Sequence, residues 1–175
     1  MILDAPVTYE ELGVGVIAVP RRTAAKMRGI ILESAKNLYV RKWAEKMVAD
    51  VMDRDEWGEA NAIFNFIQSH TRYAHDPRGT EFIQTPPYIL KHVELGIKPS
   101  LDCDDYAVLS LSLLRSLGYQ TLIRVTGYNK INKRFTHVYG MVRVDGKWTA
   151  FDPVRKDQSL GWEAPNKCRV MDVEV

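Results

Sequence analysis

The sequence is poor in cysteine, and it has no long apolar run and no excess of charge of one sign. Only Cys103 and Cys168 are present among 175 residues. That excludes a disulfide framework and any four-cysteine zinc site, leaving at most one pairing in an oxidising compartment. No apolar run approaches the roughly 18 residues a membrane span needs. The N-terminus shows no basic stretch followed by an apolar one and a cleavage site. A cytosolic protein is therefore expected. The 24 basic and 22 acidic residues nearly cancel, so charge alone does not point to nucleic acid, and no basic stripe interleaved with aromatics suggests it. Arg21, Arg22, Lys26, Arg28, Lys36, Arg41 and Lys42 do gather, which reads first as a solvated helical face and second as a docking surface for an acidic partner.

Hydrophobic residues make up 46% of the chain and charged residues 26%, the balance of a globular domain with a real core. Residues 1–22 read as irregular or short strand, "GVGVIAVP" being broken by Gly13, Gly15 and Pro20. Thr23 is a candidate N-cap for helical pattern running to about residue 52, interrupted near Asn37, with Leu38, Trp43, Met47 and Val51 facing inward. A helix fits 57–70, with Ala60, Ile63, Phe64 and Ile67 at helical spacing. Then "RYAHDPRGTEFIQTPP" reads as loop, "YILKHVEL" as a short helix ended by Gly96, and 103–117 as a helix stopped by Gly118. From "YQTLIRVTGY" through "FTHVYGMVRV" to "KWTAF" the period changes to two. Helices first and an antiparallel sheet afterwards predict an α+β fold.

"LDCDDYAVLSLSLLRSLGYQ" places one sulfur among three carboxylates. Asp102 suits the N-cap of the apolar helix and Asp104 and Asp105 its first turn, where carboxylates accept free backbone N–H groups and complement the dipole. The same dipole favours a Cys103 thiolate, but carboxylates oppose it, so a catalytic Cys103 needs an imidazolium partner. Without one it is a small buried hydrophobe. Asp145-Gly146 predicts a two-residue hairpin loop with Val144 opposite Lys147. Stepping back along both strands puts Tyr139 opposite Asp152, which makes His137 and Asp152 diagonal neighbours on one face, roughly 7 to 8 Å apart between Cα atoms. That arrangement predicts a nucleophile (Cys103), a base (His137) and an orienting acid (Asp152) holding the ring through Nδ1–H.

"LDCDDYAVLSLSLLRSLGY" and "FTHVYGMVRVDGKWTAFDPV", in that order, resemble the core of the transglutaminase-like superfamily. The resemblance implies a papain-like α+β fold, a buried Cys-bearing helix on an antiparallel sheet, and the same triad. "IQSHTRYAHDPRGTEFIQTP" and "SLGWEAP" are similar to phage and prophage members described as transglutaminase-like cysteine proteases. Leu101 stands where many relatives have Gly. The expected organisation is an N-terminal extension over 1–56, a catalytic core over 57–165 and a C-terminal tail over 166–175. The expected activity is acyl transfer on peptide or protein amides through a thioester, most simply hydrolysis, with no cofactor. The competing expectation is a non-catalytic phage-particle component whose N-terminal helices dock onto other structural proteins, located in the cytoplasm or on a virion. Relatives add a side-chain oxyanion donor before the cysteine helix, for which Tyr73 and Gln84 are the candidates. Trp148, on the Asp152 face by alternation, is a candidate site wall. His70, His75 and His92, with Asp76 or Glu81, match no compact ligand spacing, and "DCDD" lacks the glycine and alternating oxygens of a calcium loop, so no metal is expected.

Overall fold

A computed structural model describes residues 8–10, 18–76, 81–132 and 134–175. Gly13, Gly15 and the centre of the predicted loop at 77–80 lie outside them. The first helix, α1, spans Ala18–Ser34, so Thr23 lies inside it and is not its N-cap. Ala24, Met27 and Ile31 are buried at helical spacing, and α1 packs on the cysteine helix. The expected interruption is real: Asn37 caps α2 (Leu38–Val48), its side chain accepting from the Tyr39 N–H. The inner face of α2 centres on Val40 and Ala44, with Trp43 and Met47 packed beside them. Leu38 is 64% exposed, a correction to the predicted face, because the residue beside an N-cap falls on the outer side of this stripe. Arg21, Arg22, Arg28, Lys36, Arg41 and Lys42 face solvent.

Helix α3 (Glu56–His70) buries Ala60, Ile63, Phe64 and Ile67, as the spacing predicts. Part of the predicted loop that follows is strand. β1 (Thr8–Glu10) pairs antiparallel with β3 (Glu81–Ile83), and β2 (Arg72–Tyr73) pairs parallel with β4 (Ser100–Leu101). These two- and three-residue strands are too short to show a period in the sequence. Helix α4 (Pro86–Glu94) starts on its prolines, and Gly96 ends it at φ 74°.

Helix α5 (Cys103–Ser116) is buried along almost its entire length. It lies on the main antiparallel sheet, ordered β7-β6-β5-β8, which comprises β5 (Thr121–Gly127), β6 (His137–Val144), β7 (Lys147–Phe151) and β8 (Arg169–Glu174). A Cβ added at Gly140 would stand 2.6 Å from Leu111 Cδ2, so the glycine permits close approach of helix and sheet. Each fully buried Leu, Ile or Val on this interface contributes about 1.5–3 kcal/mol. On the other face Leu122, Tyr139, Met141 and Ala150 make a smaller apolar cluster. The hairpin forms in the predicted register, Val144 opposite Lys147 and Gly140 opposite Phe151. Asp145 (φ 48°) and Gly146 (φ 75°) make its turn, both left-handed as a type I′ turn requires.

The stretch expected as a C-terminal tail contains β8, which pairs antiparallel with β5 along its length. Arg124 binds it by a bidentate contact to Asp172. Among the described residues no helix is long and apolar enough to cross a membrane.

Candidate active site

Cys103 is the first residue of α5 and is half-buried. Asp102 is the N-cap and Asp105 sits three residues on, each side chain accepting from the other's backbone N–H at 3.4 Å. This reciprocal arrangement is a capping box built from two aspartates. Asp104 accepts from the Asp105 N–H at 2.9 Å. The three carboxylates are buried and serve the helix start as expected. Asp105 also accepts from the backbone N–H of Gln84 (2.6 Å) and from its side-chain amide (2.7 Å). Burial nevertheless dominates, and with the charge of Asp102 it pushes the Asp105 carboxyl up to about 7. Near neutrality this group therefore opposes a neighbouring thiolate with only part of a charge.

His137 opens β6, and Asp152 follows the last residue of β7. The imidazole and carboxylate meet at 2.7 Å, Nε2 to Oδ2. The predicted pairing is present, with one correction: Asp152 holds Nε2, not Nδ1. Register sets which residues are neighbours, but rotation about the His137 side chain decides which nitrogen points along the strands. Nδ1 is the ring nitrogen that Asp152 does not hold. Cys103 and His137 line one cavity of about 220 Å³, closed on one side by Ala24 and Met27 of α1. Cysteine, histidine and aspartate thus come from a helix start and two strand ends that the fold brings to one place.

Tyr73, at the end of β2, is partly exposed and stacks on Tyr106. Burial, and then the charges of Cys103, Asp102, Asp104 and Asp152, raise its hydroxyl to about 12. The phenol keeps its proton at neutral pH, and its oxygen lies 3.2 Å from His75 Nδ1. Gln84 is positioned differently. Its amide donates to Ser100 O and Asp105 Oδ2, so both of its N–H groups are engaged in anchoring the capping box and the strand before it. Trp148 shares the Asp152 face by alternation but pairs with Arg143 near the hairpin turn. Four residues of strand, about 13 Å, separate it from Asp152, and it is 47% exposed. It does not wall the cavity.

No spacing in the sequence signals the Asp105–Gln84 clasp, although Asp-x-x-Asp ahead of an apolar run is the outline of a capping box. Thr71 was also missed. Its hydroxyl donates to Ile67 O and accepts from the Tyr106 hydroxyl, fixing α3 to the cysteine helix. His70, His75 and His92 make local contacts through Nδ1, with Phe66 O, Tyr73 Oη and Tyr88 O. The one carboxylate group among the described residues close enough to share a cation is Asp102, Asp104 and Asp105, with oxygens within 4.8 Å of one another. Asp102 and Asp105 of that group accept the capping bonds given above.

No curated protein matches the chain. Among solved structures it is similar to a candidate cysteine protease from Cytophaga hutchinsonii, at 16% identity and TM-score 0.50, over 82% of this chain and 47% of that one. A candidate protease from Parabacteroides distasonis matches at 14% identity and TM-score 0.59, over 87% of this chain and 30% of that one. The chain therefore spans about half the length of the first protein and under a third of the second. Both likenesses establish the fold alone, and the virion-component reading finds no support in them. Residues 41–153 match the model of the transglutaminase-like superfamily. With most of its length inside that match, and a papain-like α+β arrangement around it, the chain belongs to the transglutaminase-like superfamily.

Proposed function

We propose that the protein is a cysteine-dependent acyl-transfer enzyme acting on peptide or protein amides, with hydrolysis as its normal outcome. The observation that carries this reading is the 2.7 Å His137–Asp152 bond at a cavity that Cys103 also lines. His137 Nδ1 takes the thiol proton, giving a thiolate and an imidazolium. Asp152 stabilises that cation and fixes the ring, while the α5 N-terminus stabilises the sulfur. The thiolate attacks the amide carbonyl carbon, forming a C–S bond and an oxyanion. The Cys103 N–H and the Tyr73 hydroxyl are the proposed donors to that oxyanion. Collapse breaks the C–N bond, and the imidazolium gives its proton to the departing amine. Water then adds to the thioester with His137 as base; the C–S bond breaks, the proton returns to sulfur, and a carboxylic acid leaves.

The test is the rate of Cys103 alkylation by iodoacetamide against pH, in the wild type and in His137→Ala. Coupling predicts fast labelling of Cys103 over Cys168 in the wild type and a thiol titration moved to higher pH in the variant, because the offsetting cation is gone. Superimposable curves, with slow and equal labelling of both cysteines, would make this a scaffold whose site is idle. Incubation of a labelled peptide in H₂¹⁸O with and without a primary amine separates hydrolysis from cross-linking by the product formed.

A further inference from the structure

Among the described residues, the polar members of the cavity at Cys103 are the reactive groups, Asp104 and two threonines; the others are apolar, Ala24 and Met27 from α1 with Val125, Phe135 and Val138 from the sheet side. Ala24 and Met27 are each 1% exposed, so they close the space rather than rim it. Its volume is about 220 Å³. An apolar cavity on the order of 150 Å³ takes one benzene-sized group, so this one has room for a single leucine- to phenylalanine-sized side chain and not for two. A charged side chain entering it would lose its hydration against aliphatic walls, and an acidic one would also meet Asp104.

We propose that this cavity is a specificity pocket that takes one apolar side chain of a peptide substrate, from either of the two residues on the acyl side of the attacked bond, with Met27 setting its depth. The proposal rests on the acyl-transfer reading above and adds a substrate class to it. It also gives α1 a direct part in recognition, in addition to its packing on α5.

The experiment uses dipeptidyl chloromethyl ketones carrying Gly, Leu, Phe or Glu at each of those two positions. Modification of Cys103 is followed by mass spectrometry, with iodoacetamide as a reagent that carries no side chain. At one position Leu or Phe should react about 10–200-fold faster than Gly, the usual worth of filling an apolar pocket, and Glu should be slowest. Met27→Ala should shift the Leu-to-Phe ratio toward Phe; the wild-type series stands by itself if that variant does not fold. Indistinguishable rates for Gly, Leu, Phe and Glu, with a His137-dependent iodoacetamide profile intact, would overturn the pocket and leave the acyl-transfer reading standing. Loss of that profile would overturn both.

Discussion

Asp105→Asn tests whether a carboxyl two residues from the sulfur is held neutral by burial. The ordinary value of 3.8 rises to about 7 in the folded protein. Between those limits the native state binds a proton that the unfolded chain has released, so the term favours folding least at high pH. Stability from this group is fully present below about pH 4, declines as pH rises, and levels off above about 7. Roughly three units at 1.36 kcal/mol each give a ceiling of about 4 kcal/mol for the swing. Asparagine cannot titrate, so the variant lacks the swing. It also turns an amide NH₂ toward donors from Gln84 and Asp102, at a pH-independent cost of about 1–3 kcal/mol. Urea unfolding at intervals from pH 4 to 8 gives both curves. The wild type's advantage over the variant should fall steadily as pH rises, and it should reverse in sign before pH 8, because a swing of about 4 kcal/mol exceeds a fixed cost of about 1–3 kcal/mol. A gap constant across the range would show that Asp105 ionises normally, and that its bonds to Gln84 outweigh its burial.

Three further outcomes follow from the packing. Ser110 is buried in α5 with no hydrogen-bond partner among the described residues, so Ser110→Ala should raise stability by about 1 kcal/mol in thermal melts, and a loss instead would reveal an unseen partner. A Cβ at Gly127 would stand 2.2 Å from the Arg134 carbonyl oxygen, which belongs to the segment leading into His137. Gly127→Ala should therefore cost about 1–3 kcal/mol and slow Cys103 alkylation as well; a neutral substitution would mean the segment can move aside freely. Asp102→Ala should cost near the lower end of the 0.5–2 kcal/mol range for a lost cap, because its bond to the Asp105 N–H is long at 3.4 Å. Unchanged melts would assign the Asp105 N–H to Asp104.

The pairing of His137 with Asp152 was legible because it depends on two discrete quantities, a turn of two residues and a strand period of two. The α5 boundaries were legible for a similar reason: aspartates mark its start and Gly118 its end. What escaped depends on continuous or long-range variables. The imidazole nitrogen that Asp152 holds is set by a torsion angle, which no spacing encodes. Gln84 reads as a loop residue until the fold brings it to Asp105, 21 positions away. β8 escaped because "RVMDVE" alternates half-buried with exposed positions and carries two acids, so its apolar signal is weak. Trp148 shows the converse: sharing a face does not mean sharing a place along it.

The hairpin between His137 and Asp152 also constrains how this lineage can change. Substitutions inside it leave the pairing of strands intact, provided Gly140 stays small and the turn keeps its left-handed residues. A single-residue insertion or deletion within 138–151 would slide one strand past the other and turn His137 or Asp152 to the opposite face. The segment should tolerate wide variation in spelling but almost none in length, whereas the stretch between Asp152 and β8 lies outside this counting rule. Libraries built from insertions and deletions would therefore map the site as a sharply bounded silent zone that substitution libraries would miss.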